Sequence, residues 1–428
     1  MTLSDTARIL NGSPLSRPKN AIFVAIILVV LLLASLFSLF RGYFSALSPA
    51  AIQVFAISQV AVLMMTLLPL AVLWFLDRRE PESRWLYLIA VLWGALIATG
   101  LALPLNEFIF KSLSDFVTVH PDIKAILGAN AGKSLAAPIA GPLVEETTKG
   151  LGVLLLFWLL RSEFDNVRDG FIYGALVGIG FNLLEAPFYI TNGFRNTGDI
   201  PLYFQIADRF ALFGLAGHAL YTGLFSMGLG LARQTTRRWL QIAAPIGGWL
   251  LGFSGHFLNN ALGLFLALFV YVLTGKPIPD APPTAAPDPA VVEPFLNQWV
   301  QHSAIRLIGF FPFFLIVGVM LWQSGIWERT VIQEQLADEG EPVITPEEYE
   351  GVKRDHIFRT RRIPGYNRRT AAAIVRAQDE LAFRKWRLKH QGQNVNADAL
   401  VTSWRNELRR LREATAPNAV LDRANGPL

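Results

Sequence analysis

Apolar runs and short charged breaks alternate along most of this chain. The run Ala21–Phe40, AIFVAIILVVLLLASLFSLF, holds no charge and follows Arg17 and Lys19. At ~1.5 Å rise per residue it covers a ~30 Å hydrocarbon core, and it is too long for a signal-peptide core. It predicts a retained span. Comparable runs over 54–76, 85–103, 135–160, 170–190, 210–232 and 305–322 predict further spans. Residues 239–274 exceed one crossing, since ~1.5 Å per residue gives ~54 Å. They read as one protruding helix or as a span followed by a re-entrant piece. Residues 105–134 read as an external, partly helical segment. Seven prolines from Pro277 to Pro294 predict an extended loop.

The expected fold class is all-α: a polytopic membrane bundle of about eight spans with a helical cytoplasmic C-terminal tail. The expected division is 1–84 for spans one and two, 85–275 for a core of spans three to seven, and 276–302 for the Pro-rich external loop. Span eight lies in 303–327 and a basic tail in 328–428. Arg17 and Lys19, Arg78 and Arg84, Arg161 and Arg168, and Arg233, Arg237 and Arg238 fall in alternate breaks. The positive-inside rule then puts both termini in the cytoplasm of a multi-pass plasma-membrane protein.

Composition agrees. Of 428 residues, 17% are charged and 52% hydrophobic, against about a quarter charged in soluble domains. There is no cysteine, which excludes disulfides, thiolate metal sites and a cysteine nucleophile. The basic excess concentrates in the tail, with 16 Lys/Arg against 5 Asp/Glu from Lys353 to Arg412. This reads as a solvated extension or a face for anionic lipid. Its few interleaved aromatics lend little support to RNA binding, and no nucleic acid is expected as a partner. Helices are predicted over about 369–389 and 397–413.

Ionisable groups inside spans are costly and usually face a bundle interior. Four segments carry them. GPLVEETTKG places Glu145, Glu146 and Lys149 in span four. GFNLLEAPF places Glu185 in span five, and GHALYTG places His218 and Thr222 one turn apart in span six. GHFLNNALG places His256 and Asn260 on one helical face. Each has a plain alternative: an intrahelical Glu145–Lys149 pair, packing histidines, or a Glu185 at the interface. Counting ~1.5 Å per residue from each span end puts all four groups in the outer half of the bilayer. Independent packing residues have no reason to share a layer. A carboxylate there can act as a base toward water, and two histidines with a glutamate can hold Zn²⁺ with an open position. Asn260 can donate to an oxyanion. Such groups suit amide hydrolysis in the membrane, and equally a proton relay.

At these residues the chain resembles the PrsW-type intramembrane proteases, of the superfamily that includes the CAAX prenyl proteases and bacteriocin-processing proteases. EETTK matches EExxK. Asp169–Glu185, DGFIYGALVGIGFNLLE, fits the family's second motif. His218 fits the third, with Arg209 before it, and HFLNN fits the fourth as His256 and Asn260. The likeness covers roughly Trp85–Phe265. It implies that 85–275 is a protease core acting on single-span membrane proteins, anti-sigma factors among them. By position, Glu145 would activate water with Glu146 assisting. His218 and His256 would orient the water or bind metal, and Asn260 would stabilise the oxyanion. Lys149 and Glu185 would support them, with Glu185, His218 and His256 as candidate zinc ligands. Ala186 stands where the family often has asparagine. The alternatives are a proton-coupled transporter and a non-catalytic membrane scaffold; no internal repeat of the transporter kind is visible.

Overall fold

The computed structural model describes residues 7, 9–10, 13–78, 83–161, 163–276, 294–354 and 363–414. The described residues form helices and turns, with no strand among them. Among the described residues seven helical segments are long and apolar enough to cross a membrane, so this is a multi-pass membrane protein.

Helix α1 (Pro18–Gly42) and α2 (Pro49–Leu76) form the first two spans. Ser48 caps α2 by accepting from the Ala51 N–H, and Pro49 takes the first helical position, where its missing N–H costs nothing. The third span is longer than its apolar run. Helix α3 (Arg84–Leu92) passes through a π turn at Trp93–Ala98 into α4 (Thr99–Thr118). Part of the segment expected to be external is therefore continuous span helix. The polar residues from Asn106 onward reduce hydropathy without breaking the helix.

Helix α5 (Pro121–Leu127) leads to α6 (Ala131–Ala140), a π turn at Gly141–Glu145, and α7 (Glu146–Leu159). The expected span 135–160 is thus helical but in three pieces, and it is not one of the seven long segments. Pro142 has no N–H to give to the preceding turn. The carbonyl of Ala137, five residues before it, instead accepts from Asn260 Nδ2 at 3.1 Å.

Helix α8 (Val167–Thr197) is the centre of the bundle and is buried nearly all round. Asn166 and Asp169 close a reciprocal capping box at its start. Helix α9 (Leu202–Arg209) and a short turn at Ala211–Gly214 precede α10 (His218–Gln234). Glycine lets α10 press against α8: a Cβ at Gly178 would lie 2.3 Å from the His218 carbonyl. Helix α11 (Arg238–Thr274) is one continuous helix of 37 residues, which settles the reading of 239–274.

Most of the Pro-rich loop, residues 277–293, lies outside the described residues. Its end is not extended: α12 (Phe295–Gly309) begins inside it and meets α13 (Phe311–Leu336) at Phe310. Phe23, Phe37, Leu67, Phe269 and Trp322 point outward and are exposed, as lipid-facing side chains are.

Beyond the spans come α14 (Pro346–Arg354), α15 (Arg368–His390) and α16 (Ala399–Glu413). Asn367 caps α15 and Asp398 caps α16. This tail is not a bare extension. Ile374, Leu381, Val401 and Leu408 make a core of its own, and Trp327, Phe383 and Trp386 pack it against the end of α13.

Candidate active site

The ionisable residues of the four segments meet in one place. The π turn ends on Glu145 and the first turn of α7 brings Glu146 and Lys149; α8 brings Glu185, α10 brings His218 and Thr222, and α11 brings His256 and Asn260. Close approach of α11 needs Gly141, where a Cβ would sit 2.8 Å from Asn260 Nδ2 and 3.4 Å from His256 Nε2.

Glu146 is fully engaged. Its Oε1 accepts from Lys149 Nζ at 2.6 Å and from His256 Nδ1 at 2.8 Å, and its Oε2 accepts from Thr222 Oγ1 at 2.9 Å. Lys149 is completely buried, and its Nζ also donates to His218 Nδ1 at 2.8 Å. His218 Nε2 in turn donates to Glu185 Oε2 at 2.7 Å. An ammonium on one ring nitrogen and a carboxylate on the other assign that tautomer. Arg209 from α9 holds the same Glu185 oxygen at 2.5 Å.

Glu145 is placed differently. Its Oε1 accepts from Asn106 Nδ2 at 3.0 Å, while its Oε2 is buried with no hydrogen-bond partner. Lys149 Nζ is 3.8 Å from that oxygen and His256 Nε2 is 4.0 Å from it. A buried carboxylate oxygen without a donor is destabilising. Here it sits between two imidazoles and an ammonium.

That orphaned oxygen and its neighbours fit a divalent metal. Glu145, His218 and His256 offer ligand atoms that all lie within 4.8 Å of one another. Two imidazoles and a carboxylate are a usual zinc donor set. Glu146 bonded to Nδ1 of His256 leaves Nε2 for the metal, the carboxylate–histidine arrangement that orients such ligands. His218 would give up one of its two ring contacts to join. Glu185, expected among the ligands, accepts from Arg209 and His218 on its Oε2.

A cavity of about 90 Å³ opens from the cluster. Glu145, Glu185, His218, His256 and Asn260 line it, and so do Asp208, Asn259 and Arg306. Arg306, from α12, donates to Asp208 at 2.7 Å and to the Asn259 side chain. Asn259 Nδ2 then donates to Asn260 Oδ1 at 2.9 Å. Tyr221 stacks on His256 with centroids 5.0 Å apart.

Sequence reasoning did not single out Asn106, Asn259, Arg306 or the role of Arg209. Asn106 carries a signal, an amide directly after the apolar run of span three. Arg306 sits at the edge of span eight, and nothing in its own segment points at the site.

Residues 82–278 match the family described as PrsW family intramembrane metalloprotease. Over 188 residues the chain is 26% identical to Protease PrsW of Geobacillus kaustophilus, which covers 41% of this chain and 76% of that protein. No solved structure gives a significant match. The two matches agree: residues 82–278 are similar to the PrsW-type proteases, and the protein is an intramembrane peptidase acting on membrane proteins.

Proposed function

We propose that the cluster around Glu145 is the hydrolytic centre, and that it cuts a single-span substrate in the outer half of the plasma membrane, with both termini of the enzyme cytoplasmic. The observation that supports this is the unpartnered Oε2 of Glu145, buried between Lys149 and His256. Of the acids that line the cavity, Glu145 is the one with an oxygen that is both buried and without a hydrogen-bond partner among the described residues.

In this reading Glu145 Oε2 takes a proton from water and later returns it to the leaving amine nitrogen. Glu146 does not touch the water. It anchors Lys149, His256 and Thr222, so the geometry around Glu145 is set before substrate arrives. Lys149 balances the charge of the glutamate pair. Glu185 and Arg209 hold the His218 ring. Asn260 spends one amide hydrogen on Ala137 and keeps its second for the carbonyl oxygen of the scissile bond. In a zinc-bound form Glu145 Oε2, His218 and His256 would hold the metal, and polarisation of water and the scissile carbonyl by zinc would replace Glu145 as the free base. An anti-sigma factor is a substrate of the right kind, since it is a single-span protein.

The test is cleavage of single-span substrates by the purified protein in liposomes, beside Glu145→Gln and His256→Ala, with and without a zinc chelator. Cleavage by wild type that both variants lose supports the reading, and loss on chelation with recovery on added zinc supports the metal. Equal cleavage by wild type and Glu145→Gln would remove Glu145 as the base.

A further inference from the structure

A second and larger cavity, of about 220 Å³, lies where the bundle meets the tail. Its walls combine Arg161, Arg233 and Arg387 with a single acid, Asp165, and with the rings of Trp327 and Trp386. The three arginines come from separate parts of the fold. Arg161 follows the end of α7, Arg233 is in the last turn of α10, and Arg387 is on α15 of the tail.

The acid does not neutralise them. Asp165 is taken by Arg387, which also donates to the Arg161 carbonyl at 3.0 Å. Arg233 Nη2 donates to the Phe157 carbonyl at 2.5 Å, and its guanidinium lies 4.0 Å from the Phe157 ring centroid. Its Nε is buried without a partner. The Arg161 side chain has no partner among the described residues. Glu163 and Glu380 are near enough to act electrostatically on this region, and neither lines the cavity. Three guanidinium forks around one committed carboxylate leave donors for an anion with several oxygens.

The position narrows the ligand. Arg233 and the following turn join the ends of two candidate spans, and Trp327 lies in α13 a few residues past the apolar run 305–322. Basic groups and tryptophan at span ends suit contact with headgroups.

We propose that this cavity binds a phosphate-bearing anion, supplied by the headgroup of an anionic phospholipid or by a soluble phosphate. The ligand joins the ends of α7 and α10, which carry Glu146 and His218 at their other ends, to the tail. The site is independent of the hydrolytic reading, because it uses none of the same residues.

The experiment is calorimetric titration of the full chain in neutral detergent with three probes: dioctanoyl phosphatidylglycerol, dioctanoyl phosphatidylcholine and inorganic phosphate. Phosphatidylglycerol is expected to saturate one site and to bind about tenfold more tightly than the zwitterionic lipid. Arg161→Gln and Arg233→Gln should each weaken it about tenfold. Arg161 is exposed and among the described residues only its backbone carbonyl is hydrogen-bonded, so its variant keeps the fold; an unchanged melting temperature without ligand checks this. Binding of inorganic phosphate alone, with the same dependence on both arginines, keeps the site and makes the source soluble. The proposal is overturned if neither phosphatidylglycerol nor phosphate binds, or if Arg161→Gln leaves the affinity of the bound probe unchanged.

Discussion

Two lysines in this protein are almost wholly hidden from solvent, Lys149 in the intramembrane cluster and Lys385 in the tail. Their surroundings differ in one respect. Lys385 Nζ donates to the Gln335 carbonyl, Asp338 and Glu339 at 2.6, 2.5 and 2.7 Å. Glu339 is held again by Arg405 at 2.6 Å. That charge is closed on all sides and ties α13 to α15. Lys149 is as well buried and has Glu146 and His218 as partners, yet Glu145 Oε2 beside it has none. Burial and pairing are common to both lysines; the unpartnered carboxylate oxygen next to a cavity is what separates them.

The comparison breaks most readily at Glu145. Glu145→Gln should lower cleavage in liposomes by about 10²- to 10⁴-fold, the usual contribution of a general base. Its melting temperature should stay level or rise, because a buried carboxylate with one oxygen lacking a donor is replaced by a neutral amide of the same shape. A large drop in melting temperature would make Glu145 structural and the two lysine sites alike. Lys385→Met should do the reverse. Removing the ammonium takes a donor from the Gln335 carbonyl and from Glu339, while Arg405 still holds Glu339 and Asp338 stays exposed, so the cost is about 1–3 kcal/mol. Hydrogen exchange of α15 amides in the full chain would read this, and cleavage per folded molecule should not change.

A smaller effect is expected at Arg306. It orients Asn260 only through Asn259, so Arg306→Gln should lower kcat about tenfold, one charge-assisted hydrogen bond's worth, with little change in KM. Lysine should not restore it, since one ammonium cannot serve Asp208 and Asn259 as a fork does. An equal rise in KM would instead make Arg306 a substrate contact.

The smallest effect concerns pH and belongs to the tail. Burial pushes the Glu380 carboxyl from its ordinary 4.5 up to about 7, with Arg376 opposing and Glu163 and Asp165 adding. The folded state then holds this proton more tightly than the unfolded state. The stabilisation is full below the unfolded value and is lost as pH rises toward the folded one. The melting temperature should therefore fall between about pH 5 and 7 on this account, and Glu380→Gln should flatten that slope. A slope that survives the substitution would assign it to another group.

Much of this protein is legible in its sequence because helical order is local. Long apolar runs have to bury their backbone hydrogen bonds within themselves when they cross lipid, and α1, α2, α8 and α11 follow their runs closely. Tail helices predicted at 369–389 and 397–413 are observed at Arg368–His390 and Ala399–Glu413. Charges within apolar runs are conspicuous for the same reason. Glu145, Glu146, Lys149, Glu185, His218 and His256 could all be named before any fold was known.

Their partners could not. The sequence suggested Glu145 with Lys149 by helical spacing, whereas Lys149 Nζ is 2.6 Å from Glu146 and 3.8 Å from Glu145. Helix rotation and the π turn at Gly141–Glu145 decide that, and both depend on how α11 seats against Gly141. Asn106 reaches Glu145 only because α4 continues past its apolar run, and Arg306 reaches Asn259 only through the packing of α12. The sequence by itself determined which segments are helices and which of them carry charge into lipid, since each is set within a few turns of chain. The tertiary structure alone decided which carboxylate oxygen is left without a partner, because that depends on contacts among helices far apart in the chain.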